Sequence, residues 1–591
     1  MGAAGEASFR MELLPDAARD VLFAYLRLDE AARACCVSPA WRRAFSTASA
    51  AHLWAPLGDV AFDEASFGPR KITEAVVSGA AAKAGVALRS LTRVPCESLG
   101  AVPALAAAHP ALQRVSVAAS VGLVFTRQVG LALAAAGAVP ELHFAFCCEN
   151  VEFVDQAQEQ VRELLEHPHA RLTGLWLTAE EAGLRYAGEV FGPPALDVLR
   201  AVEAAVRAHS GCLRSLQVVL DFETPRAEAG EDAAEVATFA QALERCASLE
   251  FLCLGDVFDA AAFEVVAQAC KRGCRALRTL RLRDGDVARY AAPAAAHLLP
   301  TLRALELHGC NGGAAGLRAI ADALPGCVSL RRVSLERPSA NDPRAFQALA
   351  RALAQAPAVR ELQLEAPTAG AVAALAEAGL PPTLESLEAT GLPGDAAPLL
   401  RAAAAAPRLE AAVLEFPCTA FRGFQTAAQA MAAACTLFAA PALRTVELQC
   451  ATGGSGADVP DMAEHLVAVG AAARHCASLR SLRLSGRTRS ADVMFALAAE
   501  ALRGNGTLLE LCIDLSDVTN GADAARAAAP LAELAAAART ASALRALRLH
   551  VTLPSGRQGR RFYANHELVA QARLALAAAA APSCLVLVES K

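Results

Sequence analysis

The sequence predicts an α/β solenoid, with parallel strands on the inside and helices on the outside. Three observations carry this. A six-residue apolar motif, L-x-x-L-x-L, recurs along most of the chain. A helix-period apolar face follows it in unit after unit, and the best-kept spacings stay between 25 and 29 residues. Self-similarity at such a period is the mark of repeat architectures, in which each unit buries its apolar face only against its neighbours.

The strand motif appears as "LRSLQV" at 213, "LEFLCL" at 249, "LRTLRL" at 277, "LRALEL" at 302, "LRRVSL" at 330 and "VRELQL" at 359. It continues as "LESLEA" at 384, "LRTVEL" at 443, "LRSLRL" at 479, "LLELCI" at 508 and "LRALRL" at 544. Weaker copies start at 88, 112, 139, 172, 409 and 582. Longer spacings elsewhere require longer loops or helices.

The helical half has its own period. Phe263, Val266, Ala267 and Cys270 follow the strand at 249. Leu317, Ile320, Ala321 and Leu324 follow the one at 302, and Phe346, Leu349, Ala350 and Leu353 the one at 330. Each set falls at i, i+3, i+4, i+7, one face of a helix. Alanine, the best helix former, fills much of the remainder. Glycine or proline closes the helices, as in "LPGC" at 324–327.

Strand motif, helix phase and repeat length together resemble the leucine-rich-repeat family, in its longer ribonuclease-inhibitor-like form. The resemblance covers residues 88–591 and implies about 16–17 repeats. Cys246, Cys274, Cys327 and Cys476 each lie three residues before the first motif leucine. Cysteines at one structural position are read as reduced packing thiols, because free cysteine behaves as a small hydrophobe.

Residues 13–54 depart from the repeat. Asp16 is placed to cap a first helix, "LDE" at 28–30 opens a second, and Ser38-Pro39 opens a third. Two of the three tryptophans, Trp41 and Trp54, fall here. Three short helices make too small a core to bury all their apolar surface. Leu14-Pro15, "VLFAYL" at 21–26, Val37 with Trp41-Arg42, and Leu53-Trp54 resemble the F-box family. Ala17, Ala18 and Arg19 depart from its preferences. The resemblance implies docking to a Skp adaptor, and through it to a cullin, with Leu14, Pro15, Leu22, Phe23, Leu26 and Trp54 at the adaptor contact. The other reading of the segment is a helical cap on the solenoid. The expected organisation is a flexible N-terminus over 1–12, an F-box over 13–54, a linker or capping segment over 55–87, and the solenoid from 88.

With 54% apolar residues and 20% charged, the 591-residue chain has ample material for a core. A net charge of −6 gives no basic footprint for nucleic acid or acidic membrane. No long apolar span and no signal-peptide core are evident, so a cytoplasmic protein is expected, with a nuclear location also open. "GRQGRR" at 556–561 reads as a solvated loop or a localisation signal. Asn505-Gly-Thr matches a glycosylation acceptor, taken as chance. No metal spacing, phosphate loop or nucleophile motif occurs. No cofactor and no catalysis are expected.

The binding surface follows from strand alternation. With the first motif leucine counted as zero, +3 and +5 face the core, and +2, +4 and +6 face the concave side. The concave set holds Arg281, Arg283, Glu306, His308, Glu336, Glu361, Glu365, Glu388, Glu415 and Glu447, with Arg483, Arg548 and His550 beyond it. These are the expected target-binding residues, and the glutamate row points to a protein target with a basic segment. The expected function is target recognition for a Skp-cullin-F-box ubiquitin ligase. A leucine-rich scaffold or inhibitor without a ligase link is the alternative.

Overall fold

The computed structural model describes residues 59–61, 89–95, 112, 114–119, 141–147, 172–179, 195–220, 231–255, 260–283, 296–308, 314–337, 342–393, 395–419, 433–453, 460–486, 491–515, 521–551, 569–576 and 584–590. The F-box-like segment 13–54 lies outside them, and so do its residues Leu14, Pro15, Leu22, Phe23, Leu26 and Trp54. The N-terminal stretch 1–12 and the basic cluster at 556–561 also lie outside.

The chain divides into two compact units, Met1–Leu277 and Arg278–Lys591. In the first unit the strands are β1 (Asp59–Ala61), β2 (Ser90–Pro95), β3 (Arg114–Ala119) and β4 (Glu141–Cys147). They continue with β5 (Leu172–Ala179), β6 (Ser215–Leu220) and β7 (Phe251–Leu254). Each pairs in parallel with the next. Helices α1 (Ala195–His209), α2 (Glu231–Glu244) and α3 (Ala260–Gly273) lie between or after the later strands.

The second unit holds β8 (Thr279–Arg283), β9 (Ala304–His308), β10 (Arg332–Glu336), β11 (Glu361–Glu365) and β12 (Ser386–Thr390). After these come β13 (Ala411–Thr419), β14 (Thr445–Gly453), β15 (Ser481–Gly486), β16 (Glu510–Leu515), β17 (Ala546–Val551) and β18 (Leu585–Ser590). All pair in parallel in chain order. The crossovers carry α4 (Ala314–Ala323), α5 (Pro343–Gln355), α6 (Ala369–Ala378) and α7 (Ala397–Ala404). Further along they carry α8 (Pro460–His475), α9 (Ala491–Leu502) and α10 (Gly521–Thr540). Strand then helix, with parallel strands in sequential register, is the build of a leucine-rich-repeat solenoid.

The register follows the motif phase. Leu280 sits opposite Leu305, Leu305 opposite Val333, and Val333 opposite Leu362. These four are at most 1% exposed, and the helix-face sets named above are buried too. The core is therefore a stack of +3 and +5 side chains against one stripe of each helix. Every weaker motif copy falls on a strand, but some joints slip out of phase. Between β4 and β5 the register shifts, so that His143 at +4 of one motif faces Gly174 at +2 of the next. The last copy is displaced too. Leu585 opposite Ala546 places the final motif's first position at Ser583, one residue later than 582. The segment 55–87 also contributes a strand, since Asp59 pairs with Ser90.

Local chemistry sets the joints. The N–H at +1 of one strand donates to the +1 carbonyl of the previous strand, as from Arg331 to Arg303 and from Arg360 to Arg331. Asp342 caps α5 by accepting from the Arg344 and Ala345 N–H groups, with Pro343 at the first helical position. At strand exits the +7 residue turns left-handed, with φ of 46° at Arg337, 45° at Ala366 and 64° at Gly391. Glycine suits the third of these on two counts. It carries positive φ without strain, and a Cβ there would stand 3.0 Å from the Ala366 Cα.

The cysteine position is a buried slot between helix end and strand. Cys246, Cys274, Cys327 and Cys476 are all buried there. The Cys274 thiol donates back to the Leu243 carbonyl, and Cys327 to Ala323. In the motif at 508 the slot holds Asn505, which is 4% exposed. Its amide donates to the Ala473 and Arg474 carbonyls of the preceding repeat. Its side-chain oxygen accepts from the Thr507 and Leu508 N–H groups. Asn505 therefore clamps two repeats, and the Asn-Gly-Thr match is a packing feature.

Candidate functional surface

The sheet face turned away from the helices in the second unit carries the +2, +4 and +6 side chains. β11 shows the alternation plainly, with Glu361, Gln363 and Glu365 outward and Leu362 and Leu364 buried. Arg281, Arg283, Glu306, His308, Glu336, Glu361, Glu365, Glu388, Glu415 and Glu447 occupy strands β8 to β14 at the outward positions that their motif phase assigns.

Apart from Arg283, their surroundings divide them into three sets. The first is an internal charge chain on β8 to β10. Arg281 forms an ion pair with Glu306, directly opposite it. His308 Nδ1 hydrogen-bonds the Glu336 carboxylate, and its Nε2 lies 3.7 Å from Glu306. Glu306 is only 6% exposed, although its position is outward. Burial pushes its carboxyl pKa up, but the His308 ring and the Arg281 guanidinium outweigh this and hold it at about 2.

The second set is bridged by amides and two guanidiniums. Arg332 donates to the Gln363 side chain at 2.7 Å, and Gln363 donates to Glu388 at 3.1 Å. Gln449 donates to Glu447 at 2.8 Å. Arg483 stands 3.7 Å from Glu447 and 3.9 Å from Asp514, in contact with both but bound closely to neither.

The third set is Glu361, Glu365 and Glu415. Their side chains make no hydrogen bond or ion pair among the described residues. Glu361 and Glu365 are exposed, and Glu415 is half-buried. Arg332, Gln363, Gln449 and Asp514 were not among the residues expected to bind the target. Their signal in the sequence was only their outward motif phase. The partners of Arg332, Gln363 and Asp514 lie about one repeat away and are brought close by register, whereas Gln449 meets Glu447 two residues back on its own strand.

The rest of the described residues offer little chemistry. None of them forms a group of three or more His, Cys, Asp or Glu side chains able to hold a metal. No helix among them is long and apolar enough to cross a membrane. The buried thiols are quiet, with burial pushing Cys246 up to about 12.

No family model and no curated protein matches this chain. Among solved structures, one similar to it is the Toll–Spätzle complex, described as a molecular hub in Drosophila development and innate immunity. That match has 13% identity and a TM-score of 0.28, over 76% of this chain and 47% of the other, so this chain spans about half of its length. Another is the leucine-rich repeat-containing protein LegL7 from Legionella pneumophila, with 11% identity and a TM-score of 0.29, over 62% of this chain and 93% of the other. At such TM-scores neither superposition adds to the fold assignment, which rests on repeat phase and strand register.

Proposed function

We propose that this chain is the target-recognition subunit of a Skp-cullin-F-box type ubiquitin ligase. Residues 14–54 dock the Skp adaptor, the open face of the repeats holds a protein target, and a separate enzyme transfers ubiquitin. The observation that carries the reading is the F-box pattern from Leu14-Pro15 to Leu53-Trp54 ahead of a long repeat array. The face supports the binding half of the reading. It presents at least one outward polar side chain on every strand from β8 to β17, and sites built on sheet elements make precise interfaces.

The test is a pull-down from native extract with the full chain and with a Leu14→Ala, Pro15→Ala variant. The wild type should capture a Skp adaptor and a cullin, and the variant should lose both while its thermal melt is unchanged. Adaptor capture that survives both this variant and deletion of residues 1–54 would replace the ligase reading with that of a leucine-rich scaffold.

A further inference from the structure

We propose that the open face of β11 to β14 docks an extended, basic segment of the partner protein, with arginines at every third position. This deepens the reading above and rests on its claim that the open face binds a protein.

The first observation is where charge is left uncompensated. At one end, Glu306 meets Arg281 and Glu336 meets His308. At the other, Arg483 stands near Glu447 and Asp514. From β11 toward that second end, successive strands place one glutamate each in alternating rows: Glu365 at +6, Glu388 at +4, Glu415 at +6 and, at the end itself, Glu447 at +4. Glu361 adds a further carboxylate at +2 on β11. Glu361, Glu365 and Glu415 lack any side-chain partner among the described residues. Like charges on neighbouring strands repel, and a cationic ligand relieves the repulsion.

The second observation is a lane at +2, beside the +4 row that holds Glu388 and Glu447, with Glu361 in line with it on β11 and the +6 glutamates one row further off. Ser386, Ala411, Thr445 and Ser481 stand opposite one another across β12 to β15. Four small side chains in register let another backbone lie close to the sheet. The lane is one row wide, so an extended chain fits it and a helix of about 10–12 Å diameter does not. Val413 lies between Glu388 and Glu447 in the adjacent row, an apolar rest for an arginine stem.

The third observation is spacing. Glutamates in the same row are two strands apart, about 9.6 Å. A polyproline-type chain repeats every three residues, about 9.3 Å. A β-strand ligand repeats every two, about 6.6 Å, and falls out of step. Arginine suits the site better than lysine, because its planar fork engages a carboxylate with two hydrogen bonds.

The experiment uses the full chain and fluorescent twelve-residue peptides of one composition at low salt. Three arginines stand at every third position, at every second position, or in one block, and a fourth peptide carries glutamines instead. We expect the third-position peptide to bind at least about fivefold more tightly than the other two arginine peptides, and the glutamine peptide not to bind. Glu361→Lys, Glu365→Lys, Glu415→Lys together should weaken it about tenfold or more. The same reversal at Glu264, Glu377 and Glu533 on helices should leave it unchanged. Equal affinity for all three spacings, no binding of any peptide, or equal effects of the two triple variants would each overturn the proposal. Adaptor capture through residues 14–54 is scored separately. A captured target indifferent to the face reversal sinks this inference and leaves the ligase reading standing. Loss of adaptor capture with peptide binding intact does the reverse.

Discussion

Arg281 and Glu306 face each other across β8 and β9, and their ion pair is capped by the His308 ring, so that an outward glutamate is almost fully buried. A buried carboxylate persists only when its partners outweigh desolvation. Here they do, and the group stays charged down to about pH 2.

That pair makes stability depend on acid. The folded carboxyl titrates at about 2 and the unfolded one at its ordinary 4.5. The unfolded chain therefore takes up the proton first as pH falls. The contribution is fully present above about pH 4.5 and is lost progressively down to about pH 2, with a size of roughly 3 kcal/mol. Urea midpoints at pH 7, 4 and 3 should fall more steeply for the wild type than for Glu306→Gln. Parallel curves would remove Glu306 from the account.

The strand phase predicts a sharp contrast between adjacent residues. Leu280→Ala, Leu305→Ala and Leu362→Ala should each cost about 2–5 kcal/mol, because each leaves a cavity in a core that is at most 1% exposed. Glu361→Gln and Glu365→Gln, on the surface beside them, should stay within about 0.5 kcal/mol. Chemical denaturation distinguishes the two sets directly.

Asn505→Ala should cost about 2–4 kcal/mol, more than a typical surface change. It strands the Leu508 N–H in a buried site and removes both tethers to the preceding repeat. Asn505→Asp should be no better, because a carboxylate cannot donate to the two carbonyls. A thermal shift below about 1 °C for either variant would contradict the clamp.

Thiol labelling should follow burial. Burial raises the thiol pKa of Cys246, and a hydrogen bond to Cys270 with burial raises that of Cys274. Neither should label at pH 8 in the native protein. Cys212, Cys435, Cys512 and Cys584 are half-buried and should label first among the described cysteines, although burial raises the thiols of Cys435, Cys512 and Cys584. Mass spectrometry after timed alkylation reads the order.

The sequence by itself determined the repeat, the strand phase, the helix stripes and the cysteine slot. Each of these is set by side-chain period within one unit, where residues two to four apart share a face. It also located the outward row from Arg281 to Glu447, because alternation needs only the motif. What only the tertiary structure decided is what those side chains meet. Glu306 lies 25 residues from Arg281, and Gln363 lies 31 from Arg332 and 25 from Glu388. Contacts at that distance depend on which strand positions pair, on crossover length and on rotamer, none of which a local pattern encodes. The same reason explains Asn505, whose partners Ala473 and Arg474 belong to the preceding repeat, and β1, a three-residue strand that pairing with β2 reveals. Register thus turned one apparent row of like charges into a compensated end and an open middle.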